Sequence, residues 1–66
     1  MEKFKVKDVK KGEYIHLLNK QGEPQKKVWE RSEYNRSVKR YSLQNYWDIN
    51  DYRHVKGDAL CVIADF

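Results

Sequence analysis

Trp29, Arg31, Arg36, Lys39, Arg40 and Tyr46 all fall in one short run, V-W-E-R-S-E-Y-N-R-S-V-K-R-Y-S-L-Q-N-Y-W, from Val28 to Trp47. Flat rings that stack on bases, beside cations that hold phosphates, are what capture of single-stranded nucleic acid requires. The same residue types dominate protein interfaces, where buried Trp, Tyr and Arg carry most of the binding energy. Either use demands that rings and cations share one exposed face.

The run reads as two strands, about Lys27 to Tyr34 and about Arg40 to Trp47, joined by a basic turn, Arg36-Ser37-Val38-Lys39. A four-residue connection pairs Asn35 with Arg40. Side chains then alternate between faces. One face carries Val28, Ser32, Tyr34, Tyr41, Leu43 and Trp47, with Glu30 opposite Asn45. The other carries Trp29, Arg31, Glu33, Asn35, Arg40, Ser42, Gln44 and Tyr46. The first set is the more apolar and is expected to face the core, so the second points outward. In this register Trp29 and Tyr46 are direct cross-strand neighbours, flanked by Arg31 and near Arg40. The bland alternative is that the two rings pack only against each other, as stabilising cross-strand pairs do.

The other elements are simpler. Asp8 can cap a single helical turn that Gly12 ends, and a strand is expected from Glu13 to Leu18. Asn19 to Pro24 is a loop, punctuated by Gly22 and Pro24. Asp48 to Gly57 resembles a short helix or 3₁₀ turn: Asp48 is a good N-cap, Ile49, Tyr52 and Val55 recur every third residue, and Gly57 can end it. Ala59 to Phe66 is apolar on both faces, as expected of a strand buried on both sides. Together these predict one all-β domain over residues 1–66, with at most a small helical component. Its architecture is a four-stranded antiparallel bent sheet or an SH3-like barrel, with the short helix before the last strand. So small a sheet has few ways to hide its edges, which leaves a monomer and an edge-paired homodimer both open.

Bulk properties narrow the function. The chain has 66 residues and a net charge of +4, with no internal repeat. Residues 1–40 hold 12 Lys and Arg against 6 Asp and Glu, whereas residues 41–66 hold 2 against 4. A basic first part attracts phosphates or an acidic protein. The one cysteine, Cys61, cannot form an internal bridge and lies in an apolar run, where it reads as an inert core thiol in a reducing compartment. No segment resembles a signal peptide or a membrane span, so a cytoplasmic location is expected.

Catalysis is not expected. His16 and His54 are far apart, and no cysteine or carboxylate stands at a metal-ligand spacing. Asp48 and Asp51 are explained by capping, and Ser32, Ser37 and Ser42 lie in no nucleophile-elbow context. No catalytic residue, metal or cofactor is assigned.

The order K-G-E-Y, then V-W-E-R-S-E-Y-N-R-S-V-K-R-Y, then D-I-N and K-G-D, is similar to that of a set of small uncharacterised bacterial proteins. Their wording is close to V-Y-x-R-x-x-Y-D-R-x-x-K-x-Y, followed by D-x-N and K-G-D before a final strand. The likeness runs from Val6 to Phe66, with Asn35 where Asp is usual. It implies a shared fold and brings no activity with it. The expected function is therefore a small non-catalytic binding module. Single-stranded nucleic acid is favoured as its ligand, and a protein-interaction adaptor or inhibitor is the alternative.

Overall fold

The computed structural model describes residues 2–64. Six strands form one antiparallel sheet: β1 (Phe4–Lys5), β2 (Tyr14–Leu17), β3 (Trp29–Asn35), β4 (Arg40–Asn45), β5 (Tyr52–Val55) and β6 (Leu60–Ile63). Their spatial order is β1-β6-β2-β3-β4-β5. A 3₁₀ turn, Val6–Asp8, follows β1, and no α-helix occurs among the described residues. The described residues are thus all-β as expected, but with six strands rather than four. The sheet is open, with β1 and β5 as its edges, rather than closed into an SH3-like barrel.

The expected helix over Asp48 to Gly57 is replaced by a turn and a strand. Asp48 Oδ1 accepts the Asn50 N–H at 3.0 Å, and the Asp51 N–H donates to the Asp48 carbonyl at 3.1 Å. This reverses the chain, and Tyr52–Val55 then pairs with β4 from Gln44↔Tyr52 to Tyr41↔Val55. Three apolar residues cannot stabilise so short a helix, whereas pairing with β4 satisfies the backbone and turns Val55 onto the core. Gly57 is required for close approach instead of helix termination. A Cβ there would lie 3.1 Å from both Lys7 Cβ and Tyr41 Cε2.

The core cluster is Val6, Val9, Ile15, Leu17, Trp29, Leu43 and Cys61, with Phe4, Tyr41, Val55 and Ala59 packed against it. All lie on one side of the sheet or on the segment that covers it. The Val6 and Lys7 N–H groups donate to the carbonyls of Ala59 (2.9 Å) and Gly57 (3.2 Å), tying the 3₁₀ turn to the β5–β6 connection. β6 runs between β1 and β2, with Cys61 buried on the core side and Val62 buried on the other. The strand is thus buried on both faces only at its centre, since Leu60 and Ile63 at its ends are exposed. Its expected extension to Phe66 includes residues 65 and 66, which lie outside the described residues.

The β3–β4 hairpin sets the faces. Asn35↔Arg40 and Tyr34↔Tyr41 pair at the tip, and Ser37 N–H donates to Asn35 Oδ1 at 2.9 Å to shape the turn. Beyond Tyr34 the register shifts, to Arg31↔Leu43, Glu30↔Gln44 and Trp29↔Asn45. Ser32 and Glu33 therefore share the place opposite Ser42, which is a β-bulge. The bulge inverts the β3 alternation below it while leaving β4 unchanged. Trp29 and Arg31 turn inward beside Leu43, and Glu30 turns outward beside Gln44.

Candidate functional site

Two of the six expected site residues are displaced by the bulge. Trp29 is only 1% exposed and belongs to the core. The Arg53 guanidinium and the Lys27 ammonium sit over its ring, at 5.2 and 5.6 Å from the centroid. Arg31 is likewise engaged: its guanidinium lies 4.3 Å from the Tyr41 ring centroid and Nη1 donates to the Ser32 carbonyl at 3.0 Å. A regular ladder would have put both outward. One extra residue in β3 is enough to reverse them.

The other four stay on the surface. Tyr46 is 50% exposed and meets Tyr14 edge to face at 5.3 Å. Arg36 and Lys39 are exposed in the turn. Arg40 pairs with Asn35 next to the inward Tyr41, so alternation directs it outward.

The outer face is the side opposite the core cluster, and its centre is a row across four strands: Tyr14↔Glu30 on β2–β3, Glu30↔Gln44 on β3–β4, Gln44↔Tyr52 on β4–β5. A carboxylate and an amide thus lie side by side between two tyrosines. Trp47, 66% exposed, and Ile49, 75% exposed, stand beside the row. Trp47 also meets Tyr46 edge to face at 5.4 Å. Tyr14, Glu30, Gln44, Tyr46, Trp47 and Ile49 line an open groove of about 390 Å³. A neighbouring hollow of about 340 Å³ shares Gln44 and Ile49 and continues over Ser42, Tyr52 and His54. The two are halves of one furrow.

Buried Asn45 presents this surface. Its Oδ1 accepts the Trp47 N–H at 2.8 Å, and its Nδ2 donates to Asp51 Oδ2 at 2.9 Å. Asp51 also receives Lys27 Nζ at 3.2 Å. The Asn45 hydrogen bond, and then Lys27, hold the Asp51 carboxyl below its usual range. The clamp fixes both ends of the 46–50 turn, and with them Trp47 and Ile49.

The sequence expected Trp29 on the exposed face, where the structure has Trp47, and did not place Tyr14, Ile49 and Tyr52 there. Trp47 seemed part of a continuing strand. The signal against that was local: W-D-I-N-D sets three turn-forming residues, Asp48, Asn50 and Asp51, within the four positions after it.

Ser42 Oγ and His54 Nδ1 lie 3.2 Å apart on the exposed surface, and the Tyr52 ring meets the His54 ring edge to face at 6.5 Å; among the described residues no carboxylate hydrogen-bonds that ring. Cys61 is buried, and desolvation pushes its thiol up to about 11. Among the described residues no three His, Cys, Asp or Glu converge as metal ligands, and no helix is long and apolar enough to cross a membrane.

A scan against protein-family models gives no match, and searches of curated proteins and of solved structures give none either.

Proposed function

We propose that this chain is a small non-catalytic module that binds single-stranded nucleic acid along the outer face of its sheet. One observation carries the reading: Tyr46, Trp47 and Tyr52 are half or more exposed on the same face whose far end, at the hairpin tip, holds Arg36, Lys39 and Arg40. Bases stack on the rings, and the cations hold phosphates. From Arg40 to Tyr46 the strand direction covers about 20 Å at ~3.3 Å per residue, the span of a few nucleotides. The face carries one carboxylate in its central row, Glu30, so repulsion of a phosphate chain is slight.

A buried, unreactive thiol fits work in a reducing cytoplasm. The resemblance to small bacterial proteins belongs to this reading as well. It concerns fold alone.

A protein partner is the second reading, and Ile49 favours it. An aliphatic side chain left 75% exposed beside two rings is typical of a protein-binding patch. Salt separates the two. Three phosphate contacts give a log–log salt slope of about −2, which weakens binding roughly twentyfold between 50 and 200 mM salt. Replacing Arg36, Lys39 and Arg40 together with Ser should abolish that slope and most of the affinity. A partner anchored on Trp47 and Ile49 would tolerate both changes.

A further inference from the structure

The floor of the furrow is more specific than its rings. Glu30 is half-buried between its cross-strand neighbours Tyr14 and Gln44 and has no hydrogen bond or ion pair among the described residues. Gln44 Nε2 donates one N–H to the Ile49 carbonyl at 3.4 Å, which leaves Oε1 and the second N–H for that side chain to offer. The floor thus presents three acceptors, two carboxylate oxygens and one amide oxygen, beside the one remaining amide donor. The walls are aromatic, from Tyr46 and Trp47.

Resting on the nucleic-acid reading, we infer that this groove is a guanine pocket in which the Glu30 carboxylate reads the base. Guanine alone among the four bases places two donors, N1–H and N2–H, side by side on its Watson–Crick edge. A carboxylate accepts both in parallel, as it does from a guanidinium. Adenine and cytosine set a ring-nitrogen acceptor beside their amino group, and uracil or thymine flanks a single N–H with two carbonyls. Each of those would push a lone pair against a Glu30 oxygen. Single-stranded bases are read on this edge, while their faces stack on aromatic side chains. Trp47 supplies the stacking surface, Glu30 the discrimination, and Arg40 with the hairpin tip the phosphate contacts.

The test uses short single-stranded oligonucleotides carrying one central G, A, C or U in an otherwise uridine context, followed by fluorescence anisotropy. The G oligonucleotide should bind about ten- to a hundredfold tighter than the other three. Glu30→Gln, which keeps the side chain's shape, should erase that preference. Trp47→Ala should weaken all four. Equal binding of all four by the native chain would overturn the guanine pocket and leave the nucleic-acid reading standing. Binding of none would overturn both. A preference for G that survives in Glu30→Gln would overturn the role of Glu30. Should that variant fail to fold, GMP and AMP added to the native chain decide: GMP alone should shift the Gln44 side-chain amide and the Trp47 indole, and equal shifts would overturn the inference.

Discussion

The Trp29 indole lies beneath the Arg53 guanidinium, 5.2 Å from ring centroid to Cζ, with Lys27 on the same ring at 5.6 Å. The largest side chain of the core therefore carries two cations on its ring besides its apolar neighbours. Its Nε1 has no hydrogen-bond partner, so it contributes through packing and ring–cation contact.

Trp29→Ala should cost about 3–5 kcal/mol, enough to unfold a domain this small. Trp29→Phe should cost less, because no hydrogen bond is lost. Trp47→Ala should change stability by no more than about 0.5 kcal/mol while weakening oligonucleotide binding. Urea denaturation gives the stabilities. Iodide quenching gives an independent check: the emission remaining in Trp29→Phe should be quenched readily, and that in Trp47→Phe scarcely at all.

The bulge makes a second prediction. Ser32 and Glu33 together fill one place in the ladder, so deleting Ser32 leaves Trp29, Arg31 and Tyr34 on their present side. That variant should keep the native spectrum. Deleting Gln44 instead shifts half of β4 onto the wrong face and should unfold the chain. An amide correlation spectrum of each decides it.

Much of this fold could be read in advance, and the failures have physical causes. Asn35↔Arg40, the alternation along β4 and the left-handed Gly12, at φ 93°, follow from turn length and residue type. The bulge does not, because Ser32 and Glu33 are as acceptable in a regular strand as in a bulge. Missing it exchanged Trp29 for Trp47 in the candidate site. β5 was hidden by coincidence: Ile49, Tyr52 and Val55 imitate a helical spacing, while the strand is a polar edge stabilised by pairing with β4. The basic tip was legible because a turn must be exposed wherever the strands run.

Lys39 holds φ at 55°, the left-handed region that disfavours a side chain. Lys39→Gly relieves that strain, offset in part by a freer unfolded chain, and should raise stability by up to about 1 kcal/mol. It also removes a cation from the tip. The variant should melt at the same temperature or higher yet bind an oligonucleotide more weakly, which calorimetry and anisotropy together would show.

Asp51 links acid sensitivity to the site. Its carboxyl is held below an ordinary value of 3.8, first by the Asn45 hydrogen bond and then by Lys27. A pKa depressed in the folded state stabilises above the unfolded value and is lost as pH falls through the folded one. Stability should therefore decline as pH drops below about 4, and Asp51→Asn should flatten that limb. Glu33, lowered by its hydrogen bond and ion pair with Lys11, adds to the decline in the same sense. Urea midpoints measured from neutral pH into this range give the slopes.

The most direct test of the account is an amide and side-chain chemical-shift titration with a single-stranded oligonucleotide at low and at physiological salt. The expected result is a set of shifts on Glu30, Gln44, Tyr46, Trp47, Tyr52 and Arg40 that shrink as salt is added, with the Trp29 indole unmoved. No shifts at low salt, or shifts centred on Lys27, Trp29 and Arg53, would contradict it.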